Sequence, residues 1–251
     1  MSLVDTHCHL YEPPLADNIA GTLESATGAG VCALVVPGVD KITSEKAIEL
    51  SKIFKGVVYA AAGLHPHCAG RDVSWLADLA GAPGVVAIGE IGLDAEKGPA
   101  IETQAAVFSW QLSVARDIGL PVIVHCRGAF ARLYDLLKAA GTGGKGGVLH
   151  SYSGSAEMLY QFEKIGFYIG VSGVATRSEA SRVHSMLRDA PLGRMVLETD
   201  SPYIGTAEHP KGSVTPASVK EVCAALAMLK GETPELVAEV TTENARRVFG
   251  V

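Results

Sequence analysis

The 251-residue chain lacks the marks of several protein classes. Its five cysteines, Cys8, Cys32, Cys68, Cys126 and Cys223, are odd in number and scattered, and no two are spaced as CxxC. A disulfide framework or a cysteine-based zinc site is therefore not expected. No apolar run reaches the roughly 18 residues that span a bilayer, and no signal-peptide pattern opens the chain. We expect a cytoplasmic protein without a membrane partner, and the sequence identifies no protein partner.

Positive charge is also scarce. Lys and Arg number 21 against 27 Asp and Glu, which gives a formal net charge of −6. A large nonspecific surface for duplex nucleic acid is normally basic, so such a surface is not expected. An acidic site that attracts phosphate through bound cations stays compatible with this charge.

Short apolar segments and helical patterns alternate along the whole chain. The predicted strands are residues 3–5, 33–36, 57–61, 85–88, 122–124, 148–150, 168–171 and 195–197. The predicted helices are residues 17–27, 44–54, 73–80, 101–118, 129–139, 156–165, 178–187, 216–229, 234–240 and 242–248. Eight strand–helix repeats in this length predict an α/β fold, a (β/α)8 TIM barrel that forms one domain over residues 1–251. A doubly wound parallel sheet is the alternative.

The first predicted strand leads into a pair of histidines separated by one residue. In an extended segment, His7 and His9 point to the same face while Cys8 points to the other. Their Cα atoms then lie roughly 6.5–7 Å apart, which lets both rings reach one metal at about 2.0–2.1 Å. The pair therefore indicates a metal site.

Other metal-competent side chains follow later predicted strands. They are His65, His67, Glu90, His125, His150 and Asp200. Taken singly, each also fits a buried structural role. In a (β/α)8 barrel, however, chemistry is located where the strands end, and six of the eight histidines fall there. We interpret the other two, His184 and His209, as ordinary surface or loop residues.

One glycine-rich segment imitates a nucleotide loop. Residues 141–146 match GxGxxG, but the predicted helix precedes them and the predicted strand follows. A dinucleotide loop needs the reverse order, and no Ser or Thr follows Lys145 as a P-loop requires. We interpret this segment as a plain connection.

An ordered set of motifs resembles a known family. The chain resembles the TatD-type metal-dependent deoxyribonucleases of the amidohydrolase superfamily from about residue 3 to residue 250. The motifs that carry the resemblance are DTHCHL, GLHPH, GEIGLD, PVIVHCR, HSYSGS and ETDSPY.

The resemblance implies two divalent metal ions, with zinc, manganese and magnesium as candidates. One ion would be held by His7, His9, Glu90 and Asp200, and the other by Glu90, His125 and His150. Glu90 would bridge the two ions, and a water between them would be the nucleophile. Asp200 is the best candidate for the general base, because it would be a ligand close to that water.

The resemblance places five further residues on the substrate side: His65, His67, Arg127, Glu198 and Tyr203. Arg127 suits a phosphate because its guanidinium makes bidentate contacts. Each has a structural alternative. The two histidines can support other groups, Arg127 can pair with a carboxylate, Glu198 can hydrogen-bond inside the barrel, and Tyr203 can simply pack.

The sequence departs from the family pattern at two places. Residues 210–216 retain Lys211 but lack the Arg and Asn of the RGKRNEP-like stretch common in the family. Residues 95–97 are Ala-Glu-Lys, where aromatic residues often follow the GLD motif. Neither departure involves a metal candidate, and both bear on how the chain holds its substrate.

The resemblance favours a TatD-type deoxyribonuclease, a 3′–5′ exonuclease on single-stranded DNA or a related nucleic acid. A hydrolase of a small amide, ester or lactone from the same superfamily is the alternative, favoured by the acidic charge and the missing basic stretch. A non-catalytic scaffold is disfavoured by the complete set of metal candidates.

Overall fold

The computed structural model describes residues 1–141 and 144–251. Its strands form one eight-stranded sheet in chain order. They are β1 (Leu3–Asp5), β2 (Val31–Pro37), β3 (Val58–Ala62), β4 (Val85–Asp94), β5 (Val122–Arg127), β6 (Gly147–Leu149), β7 (Phe167–Val171) and β8 (Met195–Leu197). The neighbouring strands pair in parallel.

A helix follows every strand, and one more closes the chain. The helices are α1 (Ile19–Gly28), α2 (Lys41–Ile53), α3 (Leu76–Ala80), α4 (Ile101–Ile118), α5 (Phe130–Ala140), α6 (Ala156–Lys164), α7 (Ser181–Asp189), α8 (Val219–Lys230) and α9 (Pro234–Phe249). This alternation with a parallel sheet confirms the predicted (β/α)8 barrel. None of the helices in the described ranges is long and apolar enough to cross a membrane.

The largest difference from the predicted elements lies in β4 and β5. We expected Glu90 and His125 to follow these strands, but both lie within them. The pairing of β4 with β5 continues past the apolar segment, with Gly92 opposite His125 and Asp94 opposite Arg127. The apolar pattern stops at the first polar residue of each strand, whereas backbone pairing extends each strand further.

The last helix and the second helix also differ from their predicted bounds. The sequence predicts two helices over residues 234–248, yet α9 is continuous, with the Thr241 hydroxyl donating to the Val237 carbonyl at 2.7 Å inside it. Helix α2 begins at Lys41 rather than at residue 44. Asp40 and Thr43 form a reciprocal capping box at its start, which satisfies the N–H groups of both residues.

The described residues form two compact units. The terminal unit contains Met1–Val36, Ser151–Leu159 and Ile169–Val251. The central unit contains Pro37–His150 and Tyr160–Tyr168, described here without residues 142 and 143. The prediction of a single domain stays a prediction.

Two smaller expectations concern the cysteines and the glycine-rich segment. All five cysteines are free thiols, as the sequence predicts. The segment 141–146 lies between α5 and β6, the order that we expected for a plain connection. Its residues 142 and 143 are outside the described ranges, so the interpretation of the segment itself stays a prediction.

Candidate metal centre

In the terminal unit, three metal-competent side chains converge just beyond β1 and β8. The Nε2 atoms of His7 and His9 lie 3.2 Å apart. Asp200 Oδ1 lies 3.2 Å from His9 Nε2 and 3.8 Å from His7 Nε2. All three side chains are buried. The structure therefore brings these predicted ligands together.

Backbone pairing after the two strands holds this group in place. The Asp200 N–H donates to the His7 carbonyl, and the His9 N–H donates to the Ser201 carbonyl, each at 2.8 Å. Asp200 has a φ of 50°, in the left-handed region that Asp tolerates better than most residues. This conformation ends the extended segment at the residue whose carboxylate faces the imidazoles.

A buried carboxyl supports the same group from β1. Asp5 accepts hydrogen bonds from the Thr199 N–H at 3.0 Å, the Thr199 hydroxyl at 2.7 Å and the His7 N–H at 3.3 Å. Burial raises the pKa of Asp5 to about 8, against the opposing effect of these hydrogen bonds. Asp5 thus ties the segment after β8 to β1. Sequence reasoning missed this role, although Asp5 begins the DTHCHL motif.

In the central unit, three imidazoles surround one carboxylate oxygen. Glu90 Oε1 lies 3.1 Å from His125 Nδ1, 3.5 Å from His65 Nε2 and 3.7 Å from His150 Nε2. Ligand atoms of Glu90, His125 and His150 all lie within 4.8 Å of one another. Three predicted ligands therefore meet here, together with His65, which we expected on the substrate side.

These separations fit atoms that share a metal ion. Two ligand atoms bonded at about 2.1 Å in tetrahedral geometry stand about 3.4 Å apart. The separations are 3.2–3.8 Å in the terminal unit and 3.1–3.7 Å in the central unit. Imidazole and carboxylate donors suit zinc, manganese and related divalent ions. The residues present in each unit thus fit a divalent cation.

His65 and His67 have different surroundings. His65 Nδ1 accepts the His67 N–H at 3.2 Å, which leaves its Nε2 toward Glu90. Burial lowers the pKa of His65. His67 Nε2 lies 2.7 Å from Asp94 Oδ2, and 39% of its side chain is exposed. Their predicted substrate roles stay predictions. Of the two side chains, that of His67 is the more exposed to solvent.

Asp94 is a buried carboxylate beside the predicted ligands. Burial alone would raise its pKa, but hydrogen bonds from His67 and from the N–H groups of Glu96 and Lys97 outweigh that effect and lower the pKa to about 2. Asp94 was not among the expected site residues. It belongs to the GEIGLD motif, which was the available signal.

Arg127 pairs with a carboxylate from the segment that departs from the family pattern. Its Nε lies 2.7 Å from Glu96 Oε2, and about half of each side chain is exposed, 55% and 54%. The structure thus contains the carboxylate pairing that is the alternative to a substrate contact for Arg127. The predicted contact with substrate stays a prediction.

Glu198 and Tyr203 lie in the terminal unit. Glu198 is buried, and its Oε1 accepts the Ser151 N–H at 2.6 Å. This hydrogen bond fits the structural alternative to a substrate contact. The Tyr203 ring lies 5.0 Å from the His9 ring and is 42% exposed. Tyr203 therefore packs on a predicted ligand and is partly exposed to solvent.

Two buried glutamines of α4 hold the loop and strand that carry the central ligands. Gln111 accepts the Leu64 N–H at 2.7 Å and donates to the Leu64 carbonyl at 3.0 Å, directly before His65. Gln104 makes the same pair of hydrogen bonds with the Asp94 backbone at 2.7 and 2.9 Å. Two glutamines seven positions apart on a buried helix face were the sequence signal for this role.

Comparison with known proteins identifies the family of this chain. A family model described as TatD related DNase matches residues 4–250. The chain belongs to the TatD family. It is 35% identical to the metal-dependent hydrolase YabD of Bacillus subtilis (strain 168), over 99% of each chain. It is 33% identical to the 3′-5′ ssDNA/RNA exonuclease TatD of Rahnella sp. (strain Y9602), over 91% of each.

A solved structure agrees with this assignment. YJJV, a TatD homologue from Escherichia coli K12, is 31% identical and superimposes with a TM-score of 0.92, covering 99% of this chain and 98% of its own. The match confirms both the resemblance and the barrel. This TatD-family chain is therefore a metal-dependent hydrolase, as the sequence predicts.

We expect the variant Gln111→Leu to lower the free energy of unfolding by about 2–4 kcal/mol, because it leaves the buried N–H and carbonyl of Leu64 without their partner. Gln161→Leu, at an exposed position of α6, is the control and should change it by less than about 0.5 kcal/mol. Urea denaturation of both variants measures the difference. Equal losses would show that Gln111 does not hold the loop before His65.

Proposed function

We propose that six residues of this hydrolase hold two divalent metal ions. They are His7, His9, Glu90, His125, His150 and Asp200. His7, His9 and Asp200 would serve one ion, His125 and His150 the other, and Glu90 both. The observation that carries the proposal is the convergence of imidazole nitrogens and carboxylate oxygens within each unit at metal-ligand spacings. When bound, the ions supply Lewis acidity that activates water and neutralises charge on the reacting oxygens.

The reaction that we propose is hydrolysis of a phosphodiester in a nucleic acid, from the 3′ end of single-stranded DNA or a related strand. Support comes from the family description, TatD related DNase, and from the relative named as a 3′-5′ ssDNA/RNA exonuclease. The named activity belongs to a relative, so the proposal also requires that residues of this chain can bind and hydrolyse a phosphodiester.

Each residue has a role that its position allows. Asp200 is the general base and takes a proton from the attacking water, since its carboxylate is fixed beside His9. Arg127 pairs with a phosphate oxygen after Glu96 turns away. His67, which is partly exposed, is a further candidate for contact with the substrate. Tyr203, which is partly exposed, is a candidate for stacking on a base, an interaction that tolerates any sequence.

A hydrolase of small esters, lactones or amides is the second candidate. The Glu96–Arg127 ion pair favours it, because it neutralises the cation expected to hold phosphate. Where the family commonly carries a basic stretch, this chain retains Lys211, whose Nζ lies 5.9 Å from the centre of the Tyr203 ring. A neutral substrate needs neither cation.

The variant Glu90→Gln tests the metal proposal. Gln removes a negative charge from a position that we propose between two cations, so metal content should fall from about two ions per chain toward one or none. Glu49→Gln, at an exposed position of α2, is the matched control and should retain the wild-type content. Equilibrium dialysis against Mn²⁺ followed by elemental analysis measures both. Full metal content in Glu90→Gln would contradict the bridging role.

The variant Arg127→Ala separates the two candidate substrates. For a single-stranded oligonucleotide, kcat/KM should fall about tenfold, the lower end for a hydrogen bond to a charged group, because the side chain is half exposed. Hydrolysis of a neutral lactone should change little. Arg132→Ala is the control, since Arg132 is similarly exposed and paired with Glu102. Equal losses on both substrates would mean that Arg127 does not contact phosphate, and turnover of lactone alone would support the second candidate.

A further inference from the structure

The proposed ligand sets leave Asp94 without a function. It is the last residue of β4, it is buried, and its carboxylate lies between the imidazoles of His67 and His125. Burial of a carboxylate is costly unless its oxygens are well hydrogen-bonded. The contacts of each oxygen therefore indicate what Asp94 does.

One oxygen and the backbone of Asp94 are fully engaged by their surroundings. Oδ1 accepts the N–H groups of Glu96 at 2.8 Å and Lys97 at 2.9 Å. The N–H and carbonyl of Asp94 are both bonded to the side chain of Gln104. The carboxylate is thereby fixed in orientation, with Oδ2 toward the two imidazoles.

His125 presents its two ring nitrogens to two different carboxylates. Nδ1 lies 3.1 Å from Glu90 Oε1, and Nε2 lies 3.3 Å from Asp94 Oδ2. A neutral imidazole carries one proton, and an ionised carboxylate only accepts hydrogen bonds. A proton on Nε2 satisfies Asp94 and leaves the lone pair of Nδ1 directed toward Glu90. That lone pair is what a metal ion requires.

We propose that Asp94 is a positioning residue: it holds His125 as the Nε2–H tautomer and so prepares Nδ1 to bind the ion shared with Glu90 and His150. The inference rests on the proposed metal function. His67 is the second donor to Oδ2, at 2.7 Å, and keeps that oxygen in place from the exposed side.

A separate metal site built from His65, His67 and His125 is the competing explanation, because their ligand atoms lie within 4.8 Å of one another. Two distances argue against it. The 2.7 Å between His67 Nε2 and Asp94 Oδ2 is a hydrogen-bond length, shorter than the about 3.4 Å of ligands that share a metal. His65 also uses Nδ1 for the His67 N–H, which leaves its Nε2 toward Glu90.

The variant Asp94→Asn tests the proposal. Its carboxamide oxygen can still accept the N–H groups of Glu96 and Lys97, but its NH₂ then faces His125. The imidazole must accept at Nε2, and its proton moves to Nδ1, where it blocks the metal. We expect one of the two bound Zn²⁺ ions to bind 10- to 100-fold more weakly, the range for loss of such a carboxylate, in a titration against a chromophoric chelator.

The tautomer itself is observable in the metal-free protein. Long-range ¹H–¹⁵N correlation spectra should show His125 protonated at Nε2 in the wild type and at Nδ1 in Asp94→Asn. Asp117→Asn, an exposed position of α4, is the matched control and should behave as wild type in both measurements. The wild-type spectrum tests the tautomer even if Asp94→Asn does not fold.

Three outcomes would overturn the proposal. They are a wild-type His125 protonated at Nδ1, an Asp94→Asn variant with unchanged Zn²⁺ affinity, and a third Zn²⁺ equivalent that disappears in His67→Ala. The last would make the cluster a metal site. A wild-type chain that binds no Zn²⁺ would refute the metal function, whereas the His125 tautomer would still report on Asp94 separately.

Discussion

The arrangement of the central unit depends on one buried carboxylate oxygen, Glu90 Oε1, which lies 3.1–3.7 Å from imidazole nitrogens of three histidines. In the terminal unit, Asp200 faces His7 and His9 in the same way. Buried carboxylates and imidazoles are costly unless their lone pairs and protons are matched. A divalent cation matches them, because it binds the lone pairs of both kinds of group.

In both units, buried acids accept hydrogen bonds from backbone N–H groups. Asp5 binds the N–H of Thr199, Asp94 those of Glu96 and Lys97, and Glu198 that of Ser151. Asp5 and Glu198 thereby fix segments that adjoin Asp200 and His150, and Asp94 fixes the segment after β4. Hydrogen bonds between these carboxyl groups and the main chain therefore hold the segments around the proposed ligands.

The sequence predicts the fold well because each strand and each helix has its own local pattern. Helix α4 was predicted with its observed bounds, Ile101–Ile118, since its apolar periodicity is long. The continuation of β4 through Glu90 was not predictable, because it depends on pairing with β5. Likewise, nothing local joins the two predicted C-terminal helices into α9.

The metal candidates were recognisable because His7 and His9 are spaced for one metal and the other candidates follow apolar segments. The supporting residues were not. Asp94 lies in the GEIGLD motif and Gln111 is paired with Gln104 seven positions earlier, but neither pattern shows which backbone groups the fold brings within hydrogen-bonding distance. Arg127 shows the same limit, since its pairing with Glu96 depends on the conformation of the segment after β4.

The central claim is that the residues in each unit are metal ligands, and anomalous diffraction tests it most directly. Crystals grown with Mn²⁺ and measured at the manganese edge should show two peaks. One should adjoin His7, His9 and Asp200, the other His125 and His150, with Glu90 bound to both ions. Absence of anomalous density at these side chains under saturating Mn²⁺ and Zn²⁺, or ions bound only elsewhere, would contradict the account.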